Sequence, residues 1–313
     1  MRLSQLVAEY LTYKRALGHR FQSEGYILRA FCRSVDDASP VDITAERVLA
    51  YLRAGHVTQE TVARRHRALT GLYRYALVRH RCTLPVLPRL PPGNLSRFVP
   101  YIYTPEELKR LMDAATATCG VRRALIEDYV LRAVLLLLYG AGLRLGEALA
   151  LDLADVDLMQ AVLTIRQTKF HKTRLVPIGQ DLKDALIDYR RQRDRHYPRQ
   201  PDCPFFCLRN GNRLNHAVTE RTFRRLRAVA GVARSGGPRH QPRLHDLRHT
   251  AAVHRLTNWY RAGADVQRLL PKLATYLGHK DLSGTQRYLT LTPQLLNEAS
   301  LRFERYALEN RHV

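Results

Sequence analysis

The sequence predicts a mainly helical protein with one small antiparallel β-sheet, divided into two domains. Three observations predict this fold class. Apolar residues recur with helical spacing through most of the chain. Short runs typical of strands occur at residues 162–178 and 205–214. Prolines cluster where the first helical region ends, which predicts a domain of residues 1–84, a linker at 85–100 and a second domain of residues 101–313.

The first domain is predicted to contain four helices. An apolar face with i, i+3, i+4 and i+7 spacing begins at Leu3. Apolar residues at 26–31 mark the second helix. Thr44 and Thr58 can cap the third and fourth helices, because a threonine oxygen can accept a hydrogen bond from the first free backbone amides.

The second domain is predicted to begin with a helix whose start is well marked. Thr104 and Glu107 form a capping box, and Pro105 occupies the first helical position, where a missing amide proton costs nothing. A long apolar helix is expected at residues 129–139, followed by a short helix that carries Arg144.

Two hairpins are predicted after these helices. Residues 162–165 and 175–178 form the strands of the first, and Pro177 restricts its strand to the edge of a sheet. The second covers residues 205–214 around an Asn-Gly turn at 210–211.

The charge balance indicates a polyanionic partner. Lys and Arg number 51 against 28 Asp and Glu, a net charge of +23, and residues 1–95 carry +8 while residues 96–313 carry +15. Only seven of these cations are Lys, so the surface is built from Arg, whose planar fork suits phosphate. A nucleic acid is therefore expected, although a solvated helix surface would also explain the cations of the fourth helix. The candidate DNA contacts on that helix are Arg64, Arg65, Arg67 and Arg74.

Membrane and disulfide classes are not favoured. The longest apolar run, residues 133–139, is far below the ~18 residues that a membrane span needs, and the first residues lack the apolar core of a signal peptide. The five cysteines are scattered, so reduced thiols in a cytoplasm are expected. Cys203 and Cys207 could form half of a zinc site, but no second pair follows at ligand spacing.

The residues with chemical potential lie in four separate stretches. These are Gly-Ala-Gly-Leu-Arg-Leu-Gly-Glu at 140–147, Lys-Phe-His-Lys-Thr-Arg-Leu-Val-Pro at 169–177, His-Asp-Leu-Arg-His at 245–249, and Leu-Gly-His at 277–279 followed by Tyr288. Each stretch alone has an ordinary explanation, such as a surface arginine or a packed tyrosine.

Together and in this order, the four stretches resemble the tyrosine recombinase (phage integrase) family. The resemblance covers the whole second domain, and the helical first domain fits the family's core-binding (SAM-like) DNA-binding half. It implies a catalytic set of Arg144, Lys169, His245, Arg248, His279 and Tyr288. It also implies that Glu147 braces the first arginine and that Lys172 is the alternative to Lys169.

The implied chemistry is DNA cleavage and rejoining through a 3′-phosphotyrosyl intermediate. Tyr288 would attack a backbone phosphate while Arg144 and Arg248 stabilise charge on its oxygens. His245 would accept or return a proton, and Lys169 would protonate the leaving 5′-oxygen. His279 would donate a hydrogen bond to the phosphate. No metal, ATP or other cofactor is expected.

The resemblance also implies partners and a biological setting. The partners are double-stranded DNA with specific recombination sites and further copies of the chain, in a tetramer on two duplexes, with room for partner recombinases or accessory proteins. Residues 269–279 resemble a variant of mobile elements, which points to integration, excision or transposition. The expected location is the cytoplasm, on the nucleoid. The C-terminal helix, if it docks on a neighbouring subunit rather than on its own domain, would use Leu295, Ala299, Phe303 and Tyr306 or Ala307.

Two features depart from the family pattern or favour a different function. The usual Gly-Lys-Gly turn is Thr-Lys-Phe at 168–170, which predicts a hairpin loop that is either stiffer or differently placed. The spacing of His245 and His249 would also suit a zinc-dependent hydrolase, although the Glu expected after the first His is missing. A type IB-like topoisomerase would share the tyrosine and the arginines, and a non-catalytic DNA-binding protein would share the positive charge.

Overall fold

The computed structural model describes residues 1–19, 21–55, 57–80, 87–88, 99–120, 124–166, 173–237, 240–279, 281–290, 297–298, 300–301 and 304. Two compact units divide the chain, Met1–Phe98 and Val99–Val313. Most of the proline-rich stretch predicted as a linker, both hairpin lysines and the apolar face predicted for the C-terminal helix lie outside the described residues.

The first unit contains the four predicted helices. They are α1 (Leu3–Ala16), α2 (Gln22–Ser34), α3 (Ala45–Arg53) and α4 (Gln59–His80). The predicted apolar face of α1 is buried, beginning at Leu3. Three of the residues predicted for the apolar face of α2 meet the core, since Phe31 is buried and Ile27 and Ala30 pack against it, whereas Tyr26 is 70% exposed.

The start of α3 follows the sequence prediction, and its end is held by a residue from α4. The Thr44 side chain accepts a hydrogen bond from the Arg47 amide at 3.3 Å. Arg65 Nη1 donates to the carbonyls of Tyr51 and Ala54 at 2.7 and 3.0 Å, and its guanidinium lies over the Tyr51 ring. Because the last carbonyls of a helix have no partner within the helix, this cation stabilises the end of α3.

The second unit is mainly helical with one small sheet. Its helices are α5 (Pro105–Cys119), α6 (Asp128–Gly140), α7 (Leu145–Leu149), α8 (Gln180–Arg193), α9 (His216–Val229), α10 (Leu244–Arg261), α11 (Val266–Leu277) and α12 (Ser283–Gln286). The capping box of Thr104 and Glu107 is present at the start of α5. Helix α6 is apolar on most faces because it packs against α5, α8 and α10 in the middle of the core.

The sheet has the antiparallel order β1-β2-β3, with β1 at Val156–Asp157, β2 at Val162–Ile165 and β3 at Arg174–Pro177. The prediction of a mainly helical protein with one small antiparallel sheet is confirmed. Strand β3 lies at the sheet edge, which explains how it accommodates Pro177. The register of β2 and β3 pairs Ile165, the last residue of β2, with Arg174, the first residue of β3.

The second predicted hairpin forms a turn without strands. Gly211 has φ +82°, and the Leu208 amide donates to the Asn212 carbonyl at 2.8 Å. A single bridge joins Cys207 to Arg213. The Leu214 amide also donates to the Phe206 carbonyl at 3.0 Å, so the predicted hairpin is present but short: the Phe205 amide donates instead to the Leu151 carbonyl at 2.9 Å.

Within the described ranges, every helix is either too short or too polar to span a lipid bilayer.

Candidate active site

The C-terminal end of α11 organises three arginines. Arg174 Nε, Arg248 Nη2 and Arg144 Nη2 donate to the successive carbonyls of residues 276–278, at 3.3, 2.7 and 2.8 Å in that order. These carbonyls lie at the negative end of the helix dipole, so cations are favoured there. We call Arg144, Arg174 and Arg248, together with the carboxylate of Glu147, the guanidinium frame.

Arg248 is the most deeply buried member of the guanidinium frame. It lies in the second turn of α10 with 2% of its surface exposed, and its Nη1 donates to the Gly142 carbonyl at 2.7 Å. Burial, and then the like charge of Arg144, lower the pKa of Arg248 to about 10. The guanidinium therefore remains a cation at neutral pH, with its plane fixed by two backbone segments.

Glu147 joins the other two arginines. Its Oε1 accepts from Arg144 Nη1 at 2.7 Å, and its two oxygens accept from Arg174 Nη1 and Nη2 at 3.1 and 2.8 Å. Burial alone would raise the pKa of Glu147, but the hydrogen bonds and charges of Arg174 and Arg144 outweigh it and lower the pKa to about 2. The carboxylate is thus ionised at neutral pH and orients both guanidinium groups.

Sequence reasoning missed Arg174 as a member of the site. Arg174 is the first residue of β3, and its side chain is 13% exposed. An added Cβ on Gly278 would lie 2.7 Å from the Arg174 guanidinium, and Gly278 itself has φ +68°. Glycine is therefore required at this turn for two reasons, the left-handed backbone and the close approach of the arginine. A glycine after a helix predicts the left-handed turn but does not identify the arginine that packs against it.

Four aromatic side chains form the second part of the site. We call His245, His249, His279 and Tyr288 the ring cluster. Tyr288 lies in the 3-10 turn Arg287–Thr290 and is 3% exposed. Its hydroxyl lies 3.1 Å from His249 Nδ1 in a hydrogen bond, and its ring stacks on His279 with centroids 6.0 Å apart.

The outer histidines of the ring cluster are held differently. His279 Nδ1 shares a hydrogen bond with Thr285 Oγ1 at 2.7 Å. The His245 ring meets the His249 ring edge-on with centroids 4.7 Å apart, and the residue is partly open to solvent. Displacement of water by the surrounding protein, and then the charge of Arg248, lower the pKa values of His245 and His279 to about 4. Both imidazoles are therefore neutral at pH 7 in the protein without DNA.

The structure brings together five of the six residues that the resemblance implies as catalytic. Arg144 and Arg248 belong to the guanidinium frame, and His245, His279 and Tyr288 belong to the ring cluster. The sixth, Lys169, and its alternative Lys172 lie outside the described residues. Their roles stay predictions.

Among the described residues, no three His, Cys, Asp or Glu side chains lie close enough together to hold a metal ion. His249, whose spacing from His245 would suit a metal ligand, hydrogen-bonds Tyr288. The Cys203 thiol donates to Gln200 Oε1 at 3.4 Å, and Arg193 Nη2 donates to Cys207 Sγ at 3.8 Å.

The candidate DNA contacts on α4 fall into two groups. Arg64, Arg67 and Arg74 are exposed. Arg65 is half-buried and already caps α3, which favours a structural role for this residue.

Comparison with known proteins identifies relatives along the whole chain. Residues 102–294 match the model of the phage integrase family. A Sinorhizobium fredii protein named as an integrase/recombinase is 38% identical over 308 residues, covering 96% of this chain and 96% of the relative. The tyrosine recombinase XerA of Pyrococcus furiosus is 28% identical and covers 95% of this chain and 93% of its own length.

Solved structures share the fold at lower identity. The integrase of the transposon Tn1549, in complex with transposon right end DNA, superposes with a TM-score of 0.68 at 17% identity and covers 98% of this chain and 100% of that one. A lambda integrase tetramer bound to a Holliday junction gives a TM-score of 0.65 at 18% identity and covers 92% of this chain and 77% of that one.

Proposed function

The chain belongs to the phage integrase family and is a tyrosine site-specific recombinase, and we propose that it cleaves and rejoins DNA with Tyr288 as the nucleophile. The Tyr288 hydroxyl oxygen attacks a backbone phosphorus atom, and the bond from phosphorus to the 5′-oxygen breaks. The product is a 3′-phosphotyrosyl bond and a free 5′-hydroxyl. Since the phosphate ester bond is exchanged rather than hydrolysed, rejoining needs no ATP.

The guanidinium frame supplies the electrostatic part of this reaction. Negative charge grows on the phosphate oxygens in the transition state, and cations that are already fixed there stabilise it without reorganising. Arg248 is fixed by the Gly142 and Leu277 carbonyls, and Arg144 by Glu147 and the Gly278 carbonyl. The neutral imidazoles of His245 and His279 add hydrogen-bond donors for the same oxygens.

The leaving 5′-oxygen requires a proton. Lys169 is the proposed donor, with Lys172 as the alternative from the same hairpin. The pairing of β2 with β3 supports this proposal, because it anchors both ends of the hairpin on the sheet, and Arg174 continues from β3 into the guanidinium frame.

One observation carries the proposal: two arginines from distant segments meet at the end of α11, and the candidate nucleophile lies against the helix that carries one of them. Arg144 arrives from the start of α7, Arg248 from α10, and Tyr288 contacts His249, the next residue of α10. A fold that needed these residues only for packing would have little reason to bury the Arg248 guanidinium next to the residue that bonds a tyrosine hydroxyl.

The proposed partners are double-stranded DNA carrying a specific site and three further copies of the chain on two duplexes. The net charge of +23 supports binding along phosphate backbones. The tetramer is proposed from the family and from the likeness to the lambda integrase tetramer on a Holliday junction. The C-terminal helix is proposed to link the copies in trans.

The proposed role is the integration, excision or transposition of a mobile element. It is supported by the relative named as an integrase/recombinase, by the fold of the transposon integrase, and by the sequence of residues 269–279. The protein is proposed to act on the nucleoid in the cytoplasm, with accessory proteins or partner recombinases where the site requires them.

A suicide substrate tests the proposed chemistry. Binding selection from a random duplex library supplies a site, and the selected duplex is nicked at successive positions, so that the short fragment released by cleavage diffuses away and traps the adduct. Wild type is expected to form a denaturant-resistant protein–DNA adduct in excess chelator. Tyr288→Phe is expected to bind the duplex equally well and form none, because only the hydroxyl is missing.

Other results of these experiments would refute Tyr288 as the nucleophile or favour a different function. An adduct formed by Tyr288→Phe at the wild-type level would refute Tyr288 as nucleophile. Relaxation of supercoiled plasmids that lack the site would favour a type IB-like topoisomerase. Cleavage that chelator abolishes would favour a metal-dependent hydrolase, and binding without any cleavage would favour a DNA-binding protein.

A further inference from the structure

The geometry points to His249 as a further catalytic residue, the group that receives the phenolic proton of Tyr288 during attack and returns it during rejoining. This inference rests on the proposed function of Tyr288. Family resemblance places proton exchange at His245, but the hydrogen bond in the structure joins the Tyr288 hydroxyl to His249 Nδ1, at 3.1 Å.

The position of His249 is fixed by the same helix that fixes the buried arginine. His249 directly follows Arg248 on α10, and Arg248 is anchored to the Gly142 and Leu277 carbonyls. A helix backbone leaves little freedom between adjacent residues, so the distance from the proton acceptor to the phosphate-binding guanidinium is set by the fold. The Tyr288 ring lies 5.5 Å from the His249 ring, against α10.

The reaction balances with His249 in this role. An oxygen lone pair of Tyr288 forms the new bond to phosphorus, and the phenolic proton moves to His249 Nδ1, which requires the tautomer with its proton on Nε2. The electron pair of the broken bond goes to the 5′-oxygen, which takes a proton from the hairpin lysine. In rejoining, the 5′-hydroxyl attacks phosphorus and its proton returns to the hairpin lysine, while His249 protonates the departing Tyr288 oxygen.

Two substitutions separate proton transfer from positioning. His249→Gln keeps an oxygen that can accept a hydrogen bond from Tyr288 but cannot take its proton, whereas His249→Ala removes both functions. Both are expected to lower single-turnover cleavage by about 10²-fold or more. Added imidazole is expected to restore part of the rate of His249→Ala.

A substrate with sulfur in place of the bridging 5′-oxygen identifies the step that is affected. A thiolate leaves without protonation, so this substrate restores variants that lack the leaving-group acid. It is expected not to restore His249→Gln, because the Tyr288 proton must still be removed.

His254→Gln is the matched control. His254 lies on the same helix and also bonds a tyrosine, Tyr139, at 2.9 Å between Nδ1 and the hydroxyl oxygen, but it has no part in the proposed chemistry. Its cleavage rate is expected to stay within about twofold of wild type, as is usual away from reacting groups. Thermal melting and duplex affinity of all variants are measured alongside.

The outcomes separate the inference from the proposed function. A wild-type rate in His249→Gln would refute His249 as proton acceptor, as would restoration by the sulfur substrate. Loss in His249→Ala without rescue by imidazole, together with full activity of His249→Gln, would leave only a positioning role and would also refute it. If wild type itself formed no adduct at Tyr288, the proposed function would fail first.

Discussion

The guanidinium frame and the ring cluster lie side by side and are built in different ways. The frame ties residues far apart in sequence through charge-assisted hydrogen bonds, and Arg248 alone joins Gly142 to Leu277. The ring cluster packs rings against one another, with one hydrogen bond between Tyr288 and His249 and another between His279 and Thr285.

Because of this difference, substitutions in the two parts of the site should affect stability and cleavage differently. Removing a member of the guanidinium frame leaves buried carbonyls or charges without their partners, so stability and chemistry should fall together. Removing a polar atom from the ring cluster leaves packed rings in place, so chemistry should fall while stability is largely kept. The guanidinium frame is therefore expected to support both the fold and the reaction, whereas the polar atoms of the ring cluster are expected to matter mainly for the reaction.

The largest combined effect is expected for Arg248→Ala. The substitution removes a buried cation and two hydrogen bonds to backbone carbonyls. Unfolding free energy is expected to fall by about 3 kcal/mol or more, and adduct formation by about 10³-fold, since other cations continue to bind DNA. Chemical denaturation and the suicide-substrate assay measure the two losses. An Arg248→Ala protein as stable as wild type would contradict the structural role of the guanidinium frame.

An intermediate effect is expected from Glu147 and depends on pH. The pKa of Glu147 is lowered to about 2 in the folded protein from an ordinary value of 4.5. Its ionised form therefore stabilises the fold above pH 4.5, and this contribution is lost as the pH falls through 2. The contribution at pH 7 is at most about 3 kcal/mol and falls to roughly half near pH 3.

Glu147→Gln tests this contribution directly. The stability difference between wild type and Glu147→Gln, measured by denaturation at successive pH values, is expected to shrink as the pH falls from 5 to 3. A difference that stays constant over this range would show that the stability contributed by Glu147 does not depend on its charge.

The smallest effect is expected for Thr285→Val, beside the ring cluster. The substitution keeps the shape of a fully buried side chain but removes the hydroxyl that bonds His279 Nδ1. Cleavage is expected to fall about fivefold because His279 loses its fixed orientation, while stability changes by only about 1 kcal/mol. A stability loss as large as that of Arg248→Ala would remove the distinction between the two parts of the site.

The sequence predicted what depends on local pattern and motif order. The capping box of Thr104 and Glu107, the helices of the first unit and the hairpin of β2 and β3 follow from spacing and turn chemistry. The family was confirmed because four motifs kept their order across the second unit.

The sequence could not predict contacts that only tertiary packing creates. Arg174 reaches Glu147 across 27 positions, and no local pattern marks it. His249 looked like half of a metal site because its spacing from His245 is one helical turn, whereas the position of Tyr288 decides its partner. Tyr26 is exposed although its ring suggested the core, since α1 packs closely against α2 at the preceding residue, the small Gly25.

Mapping the covalent adduct tests the central claim most directly. The trapped protein–DNA complex is digested with protease and nuclease, and the residue that carries the nucleotide is located by mass spectrometry. We expect the peptide containing Tyr288 to carry a 3′-phosphate-linked nucleotide, with a free 5′-hydroxyl on the released strand. A nucleotide attached to any other residue, or attached through its 5′-phosphate, would contradict the assignment of Tyr288 as the nucleophile.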